Sequence, residues 1–436
     1  MIQRAARGCA LLTCFLIPVW LRLPFVADSA LADYYVSRFL ILLPALATIG
    51  LWTLTGFRGW NKGGRWRHIS IIAVLLLAVW GAASTQWAFM RQLEPEVGIN
   101  AAIGLMVTAL FAAAVSSLAL SPRSVTGILA IGLLFNALIV IGQAANQGWL
   151  GLRFLGEFEI EAGFRGISIL RADGIEYVRP YGLLPHPNMT AGALVIGTLA
   201  AAAWIGSERR AIRFAAALLT GLGVLALLLT FSRAAWGGLA IGGIVLAPML
   251  LRRAWKNPPV RSAVVLAAGA VLLAGGFVLA QYTPLVLART GQIEESIEMR
   301  SVADRLVFID FAMRSISERP FQGVGIGNFP WRTSYFIVET FYDLRGDNVH
   351  NIFLSVWAEL GTVGLVLFLV GIGAGLIGAI SSTRSDGSMH RAALVAIVLA
   401  LLGIGWLDHY PYSILHFQIA LWGCIGISSY NVRYTQ

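Results

Sequence analysis

Apolar runs separated by short polar segments make up almost the whole chain. A helix that crosses a membrane needs about 20 consecutive, mostly apolar residues. The apolar runs lie at 9–27, 36–56, 70–90, 99–120, 125–146, 189–206, 214–231, 235–251, 262–282, 353–380, 392–408 and 415–430. This pattern predicts an all-α polytopic membrane protein with about 12 transmembrane helices.

One long polar interruption divides the pattern into three parts. Residues 1–282 hold the first nine predicted spans, residues 283–351 form a long loop, and residues 352–436 hold the last three spans. Within the loop, apolar residues recur at steps of three and four, which predicts a helix with its apolar face against the membrane or the spans. These residues are Val302, Leu306, Ile309, Ala312 and Met313. Long loops often carry catalytic groups, so we expect this one to be the catalytic part of the protein.

The composition supports a membrane protein and argues against nucleic acid as a partner. Hydrophobic residues make up 58% of the chain and charged residues 12%, with a mean hydropathy of +0.75. A soluble globular protein carries about 25% charged residues. The net charge of +10 comes from short basic clusters scattered between the spans. Such clusters are typical of membrane topology rather than of nucleic-acid binding.

Basic residues cluster in alternate loops and predict the orientation of the chain. With twelve spans, these residues fall on one side: Arg4, Arg7, Arg58, Lys62, Arg65, Arg67, Arg123, Arg209, Arg210, Arg213, Arg252, Arg253, Lys256, Arg261, Arg384, Arg391 and Arg433. The positive-inside rule puts that side in the cytoplasm and puts the segment 147–188 and the loop 283–351 outside. The N-terminus, with Ala30-Leu31-Ala32, also resembles a cleavable signal peptide. Its apolar run is long for one and contains Trp20 and Arg22, which favours a retained helix.

Three arginines on the predicted outer side are candidates for binding a diphosphate. The short break at 232–234 between two apolar runs is compatible with a tight hairpin or a re-entrant turn. Arg233 stands in this break, where a charge is costly unless it is paired or faces a wet cavity. Arg300 and Arg305 begin the periodic stretch of the long loop. A guanidinium binds phosphate through a two-pronged fork and stays charged. The alternatives are an arginine that extends to the membrane interface at 233 and a solvated helix face at 300 and 305.

The segment before the sixth apolar run adds three candidate substrate-binding residues. Pro185 and Pro187 flank His186 and predict an extended chain at that residue. His186 is open between a structural and a functional role. Arg179 is a candidate second phosphate contact, and Asn188 is a candidate substrate contact, with capping of the following helix as its alternative.

His350 ends the long loop and is the candidate general base, because imidazole can take a proton from a hydroxyl at neutral pH. Asp347 is expected to orient it or to balance its charge. The alternative is a histidine that bonds a backbone group at a helix start. The cysteines, at Cys9, Cys14 and Cys424, lie in apolar runs without disulfide or metal spacing. The outward segments contain no D-x-D, H-x-x-x-H or Cys/His cluster, so we predict a reaction without metal or cofactor.

Two motifs carry a family resemblance. His350-Asn351, nine residues, Gly361, two residues and Gly364 is similar to the H-N-x9-G-x-x-G signature of bacterial O-antigen ligases. Asp304-Arg305-Leu306 and the run from Pro320 to Phe329 resemble the R-L…P-x-x-G-x-G-x-x-N-F pattern of the wider ligase and polymerase superfamily. Alternating glycines in that run would permit close approach of the backbone to a ligand.

Two further segments, Phe231-Ser232-Arg233 and Arg179…Gly182…Pro187-Asn188, also resemble family segments. The resemblance implies a fold related to the GT-C membrane glycosyltransferases, placed in the bacterial inner membrane with its active site facing the periplasm among membrane lipids. It implies transfer of a polysaccharide from undecaprenyl diphosphate to a sugar hydroxyl of lipid A–core, without metal and with inversion at the anomeric carbon.

The roles of individual residues follow from the same resemblance. His350 would deprotonate the acceptor hydroxyl, and Arg233 and Arg305 would hold the donor diphosphate. Asn351, as part of the motif, is expected to bind substrate.

Two alternatives stay open at this point. An O-antigen polymerase uses the same donor and chemistry, although the lack of a soluble domain after the last span favours a ligase over the protein-modifying relatives. A transporter or flippase of an anionic solute would need polar residues and broken helices near the membrane midplane. The polar and charged groups of this sequence gather at one face instead.

Overall fold

The computed structural model describes residues 1–22, 39–164, 166–289, 296–340 and 347–430, without the side chains of 296–302 and 339–340. The helices are α1 (Ile2–Phe15), α2 (Leu42–Leu54), α3 (Arg65–Ser84), α4 (Pro95–Ser117), α5 (Pro122–Asn146), α6 (Pro187–Ala202), α7 (Arg210–Leu229), α8 (Arg233–Lys256), α9 (Pro258–Arg289), α10 (Ser296–Glu318), α11 (Phe329–Thr340), α12 (Ile352–Asp386), α13 (Met389–Gly405), α14 (Tyr410–Ser413) and α15 (Leu415–Ser428). Two strands, β1 (Ile169–Ala172) and β2 (Ile175–Val178), lie between α5 and α6.

Every predicted apolar run overlaps a helix, namely α1 to α9, α12, α13 and α15, although the first run, 9–27, shares only residues 9–15 with α1. Within the described residues, 8 helices are long and apolar enough to cross a membrane, and α2, α13 and α15 are shorter apolar helices. Helix α1 has 14 residues. The protein is therefore a polytopic membrane protein, whereas twelve spans and a GT-C-like fold stay predictions.

Small residues let the helices of the bundle pack closely. A Cβ atom at Gly221 of α7 would collide with Ala270 of α9, and one at Gly371 of α12 would collide with Trp422 of α15. Where lipid surrounds the helices, close packing of this kind is a main source of helix association.

The loops sort to two ends of the bundle. At one end, which we call the basic end, Arg7 Nε of α1 donates to Leu118 O after α4, and Arg253 Nη2 of α8 donates to Gly387 O after α12. Loops with the arginine and lysine clusters lie here. The opposite end, which we call the cap end, holds α10 and α11 together with the loops 85–94, 147–186, 230–232 and 406–409. All the candidate site residues lie at or next to the cap end.

The segment 147–188 contains a β-hairpin, so the all-α prediction is wrong for this segment. Strands β1 and β2 pair antiparallel, with Ala172 opposite Ile175. Asp173 and Gly174 turn the chain with φ of 48° and 75°. Asp-Gly suits this place because both central residues of a type I′ turn need positive φ. Strand β2 leads directly into Arg179.

Helices α10 and α11 form a cap over the first turns of α12. Their shared core consists of Phe308, Phe311, Ala312, Ile316, Val324, Phe329, Phe336, Ile337, Val349 and Ala358. Of the predicted apolar face of α10, Ala312 packs into this core, whereas Leu306, Ile309 and Met313 are 64%, 39% and 47% exposed. The predicted three- and four-residue spacing did not include Phe308 and Phe311 of α10, which are larger and bury more area per residue. Contact of the exposed face with the membrane stays a prediction.

An interruption in α12 locks the cap to the spans. Gly361 breaks the helix with φ 65° and ψ −171°. Gly325 N donates to Glu359 O over 2.9 Å. A Cβ atom at Gly323 would collide with the Glu359 carbonyl, and one at Gly361 would collide with the Phe321 carbonyl. The glycines that were expected to approach a ligand therefore approach the protein's own backbone, and the two family motifs interlock.

Candidate active site

Asn351 fixes the start of α12 and thereby the position of His350. Its Oδ1 accepts from Phe353 N at 2.9 Å and Leu354 N at 3.0 Å, which caps the helix. Its Nδ2 donates to Trp406 O at 3.3 Å, which ties this turn to the loop after α13. Asn351 therefore caps and tethers this turn, and its role in binding substrate stays a prediction.

The His350 ring lies among charged and titratable groups at the cap end. It stands 5.6 Å from the His409 ring at an interplanar angle of 85°. Its Nδ1 is buried and has no hydrogen-bond partner among the described residues. Burial lowers the pKa of His350; Asp408 and Asp347 oppose this change, whereas His409 and Arg305 add to it. The imidazole is thus held neutral at neutral pH, and it can accept a proton.

Asp408 is the buried carboxylate of the site, and the sequence analysis missed it. It is 4% exposed. Its Oδ1 accepts from His409 N at 2.9 Å, and its Oδ2 accepts from Asn188 Nδ2 at 3.0 Å. Burial alone would raise the pKa of Asp408, but His409, His350, His186 and the Asn188 hydrogen bond outweigh burial and lower it. The carboxylate therefore stays charged beside the candidate base.

His409 was also missed, and it takes the partner expected for His350. Its Nδ1 lies 2.7 Å from Ser413 Oγ. Its Nε2 lies 3.9 Å from Asp347 Oδ1, so Asp347 faces His409. The expectation that Asp347 orients His350 directly is corrected, although its charge still raises the pKa of His350. The sequence contains one signal for Asp408 and His409: an acidic residue and a histidine stand at the end of an apolar run.

His186, rather than Asn188, caps α6. The residue is extended, with φ −153° and ψ 140°, as the flanking prolines predict, and its Nδ1 accepts from Asn188 N at 3.1 Å. Burial and the nearby Arg179 guanidinium lower the pKa of His186 to about 3. A neutral imidazole is what a cap needs, because only an unprotonated Nδ1 can accept this hydrogen bond.

Arg179 is a positioning residue in this structure. It is 3% exposed. Its Nε donates to Thr230 O at 2.7 Å, its Nη1 to Ser168 Oγ at 3.0 Å and its Nη2 to Asn188 Oδ1 at 2.8 Å. The guanidinium is buried among protein acceptors and aligns Asn188, which in turn holds Asp408; its role as a phosphate contact stays a prediction.

Arg233 begins α8 directly after a tight turn that joins two spans, the hairpin that the short break suggested. Phe231 in this turn is fully buried and has φ 52°. That left-handed conformation costs a non-glycine residue about 1–2 kcal/mol. Aromatic contacts to Tyr177 and Tyr282, with ring centroids 5.2 and 6.0 Å away, hold it in place. Arg233 Nη1 donates to Arg289 O at the end of α9 over 3.1 Å.

The remaining predicted arginines lie on α10. Arg305 is partly exposed and close enough to His350 to influence its pKa. Arg300 lies in the same helix, but its side chain is outside the described residues. Across the described ranges, no three His, Cys, Asp or Glu side chains are arranged to hold a metal ion.

The structure therefore unites residues from distant parts of the chain. His186, His350, Asp408 and His409 lie within electrostatic reach of one another, and Arg305 acts on His350. A chain of hydrogen bonds runs from Thr230 through Arg179 and Asn188 to Asp408.

Comparison with known families finds a match. A family model described as O-antigen ligase matches residues 216–369. This region belongs to the O-antigen ligase family. The match confirms the resemblance that the motifs indicated. The ligase-family region contains Arg233, Arg305 and His350, whereas Asn188 and Asp408 lie outside it on either side. None of the curated proteins compared with the chain is significantly similar to it.

Proposed function

We propose that this protein is an O-antigen ligase of the bacterial inner membrane with its active site at the periplasmic face. It transfers a polysaccharide from undecaprenyl diphosphate to a sugar hydroxyl of lipid A–core. The family match supports the reaction class. The basic loops at the end opposite His350 support the orientation, since basic loops stay in the cytoplasm.

In this proposal His350 removes the proton of the acceptor hydroxyl. The freed oxygen attacks the anomeric carbon of the donor sugar from the face opposite the diphosphate. The carbon–oxygen bond to the diphosphate breaks, and undecaprenyl diphosphate leaves with the electron pair, so the configuration inverts. Arg305 and Arg233 bind the diphosphate and stabilise its growing charge, as fixed cations do at a leaving group. Arg300 belongs to the same set by its place on α10.

One observation carries the proposal. His350 presents a neutral imidazole beside an ionised, buried Asp408, at the end of the bundle that also holds Arg305. A base of this kind suits deprotonation of an alcohol at neutral pH. The charge of Asp408 also stabilises the imidazolium that forms when the proton arrives.

The test is lipopolysaccharide profiling of a deletion strain that carries wild-type or variant protein. We expect His350→Ala to abolish capped lipopolysaccharide and to let lipid-linked polymer accumulate. His68→Ala, at the basic end, is the matched control and is expected to restore capping. Full capping with His350→Ala would remove the base assignment, and caps of one repeat in the deletion strain would instead identify a polymerase. Uptake of a labelled anion by vesicles, without transfer in detergent, would favour a transporter.

A further inference from the structure

A partly open cavity of about 240 Å³ lies at the cap end beside the candidate active site. Its described walls come from Trp20 and Phe39, the first turns of α4, the glycine-rich turn before α11, the residues around the start of α12 and the α14–α15 segment. The mechanism described above uses none of the side chains that line it.

The cavity adjoins the candidate base on two sides. Asn348, which lines it, precedes His350 by two residues. Ser413 also lines it, and its Oγ lies 2.7 Å from His409 Nδ1, whose ring stands 5.6 Å from that of His350. The cavity is therefore connected to the imidazole through Ser413 and His409 on one side and through the backbone from Asn348 on the other.

The lining matches a neutral carbohydrate. Asn348 contributes a side-chain amide that makes no hydrogen bond to the described residues. Gln418 accepts from Thr108 Oγ1 at 3.1 Å and donates to Tyr412 O, which leaves one N–H and one lone pair of its amide. Apolar surface from Trp20 completes the wall. Sugars combine hydroxyl groups with apolar C–H faces, and a site with a few polar groups among apolar walls fits both.

Charge separates this cavity from the donor side. Its described lining contains the Glu359 carboxyl group but no arginine or lysine. A diphosphate needs cations, and the described lining of this cavity supplies none. The arginine that acts on His350 is Arg305 of α10, which does not line the cavity.

We propose that this cavity binds the neutral sugar of the acceptor glycan and presents its hydroxyl to His350. This inference rests on the proposed transfer reaction. It adds a location: the acceptor occupies the cavity lined by Asn348 and Gln418, and the donor occupies the arginine side of the imidazole.

The experiment measures binding and kinetics separately on the purified full-length protein. Binding is measured without donor, using core oligosaccharide freed of lipid A as the probe. Kinetics are measured with lipid-linked donor and intact lipid A–core. We expect Asn348→Ala and Gln418→Met each to weaken probe binding and to raise the acceptor KM by about three- to tenfold, the effect of one lost hydrogen bond. The donor KM is expected to stay unchanged.

Asn257→Ala, which removes an amide at the basic end, is the matched control and should change neither quantity. Asn348→Ala remains informative if Gln418→Met fails to fold, because the Asn348 amide makes no bond to the described part of the fold. Unchanged probe binding and acceptor KM in a protein that transfers normally would overturn the cavity assignment and leave the proposed function standing. A raised donor KM would overturn it as well. If the wild type binds the probe but shows no transfer, and the variants lose probe binding, the cavity assignment is supported and the proposed function is refuted.

Discussion

Replacing Asp408 by Asn removes a charge beside His350 and keeps nearly the same shape. In the wild type, burial lowers the pKa of His350, and the Asp408 carboxylate opposes that lowering. A general base works only when it is unprotonated, so the transfer rate rises with pH through its pKa. Without the charge of Asp408 this pKa falls further. We therefore expect the acid limb of the pH–rate profile to move to lower pH.

The structure also bounds the cost in stability and in rate. Asp408 accepts from Asn188 Nδ2 at 3.0 Å through one oxygen and from His409 N at 2.9 Å through the other. Asparagine presents one oxygen, so one of these bonds is lost. A hydrogen bond to a charged group is worth about 1.5–3 kcal/mol, which a protein with roughly 5–15 kcal/mol of stability tolerates. The plateau rate should fall, by at most the factor of about 10²–10⁴ that a general base contributes.

The assay is a pH–rate profile of Asp408→Asn in detergent, at saturating donor and acceptor, over the range in which histidine titrates. Asp173→Asn, in the exposed turn of the hairpin, is the control and should reproduce the wild-type profile. A purely structural role for Asp408 would lower the amount of folded protein and leave the acid limb in place. An acid limb that stays in place at full plateau rate, or that moves to higher pH, would refute the reasoning.

Three further outcomes are expected. Arg305→Ala should raise the donor KM, and Arg305→Lys should restore only part of the loss because an ammonium lacks the fork; an unchanged donor KM in steady-state kinetics would speak against donor binding. Gly361→Ala should lower stability by at least about 1–2 kcal/mol, because of its positive φ and the collision with the Phe321 carbonyl. Thermal unfolding checks this, with Gly373→Ala, where nothing lies within 4 Å, as a silent control. Transfer should continue in EDTA; a loss that divalent cations reverse would reveal a metal requirement.

The sequence predicted those features that local rules determine. Membrane helices follow from apolar length, and each predicted run overlaps a helix. Prolines restrict their own residue and the one before it, so the extended His186 was predictable. The tight turn before Arg233 followed from the lack of polar residues between two runs. In each case the cause lies within a few residues of its effect.

Contacts between distant segments explain what the sequence could not predict. Asn188 was given a local alternative, helix capping, but its amide bonds Asp408, which lies 220 residues away. Asp408 itself fell inside the predicted span 392–408, because an apolar run does not show where its helix ends. Helix α13 ends at Gly405, and Asp408, the third residue after it, lies in the loop that enters the site. The β-hairpin is a different case. Asp173-Gly174 is a local signal for a hairpin turn, but the prediction considered only helices.

The two substrates of the proposed reaction need surroundings of different charge. This requirement explains why, in the proposal, His350 has arginine on its donor side and a cavity without arginine or lysine on its acceptor side. The leaving diphosphate gains negative charge in the transition state and needs fixed cations such as Arg305. The attacking hydroxyl is neutral and needs no cation. Cations near it would only attract the donor diphosphate, which would then compete with the acceptor. The described lining of the cavity contains amides but no arginine or lysine, so it does not attract the diphosphate. Asn348→Arg places a cation in the acceptor cavity and should therefore make the donor a competitive inhibitor against the acceptor. If the variant only weakens the binding of each substrate independently, the separation of charge has no role in sorting them.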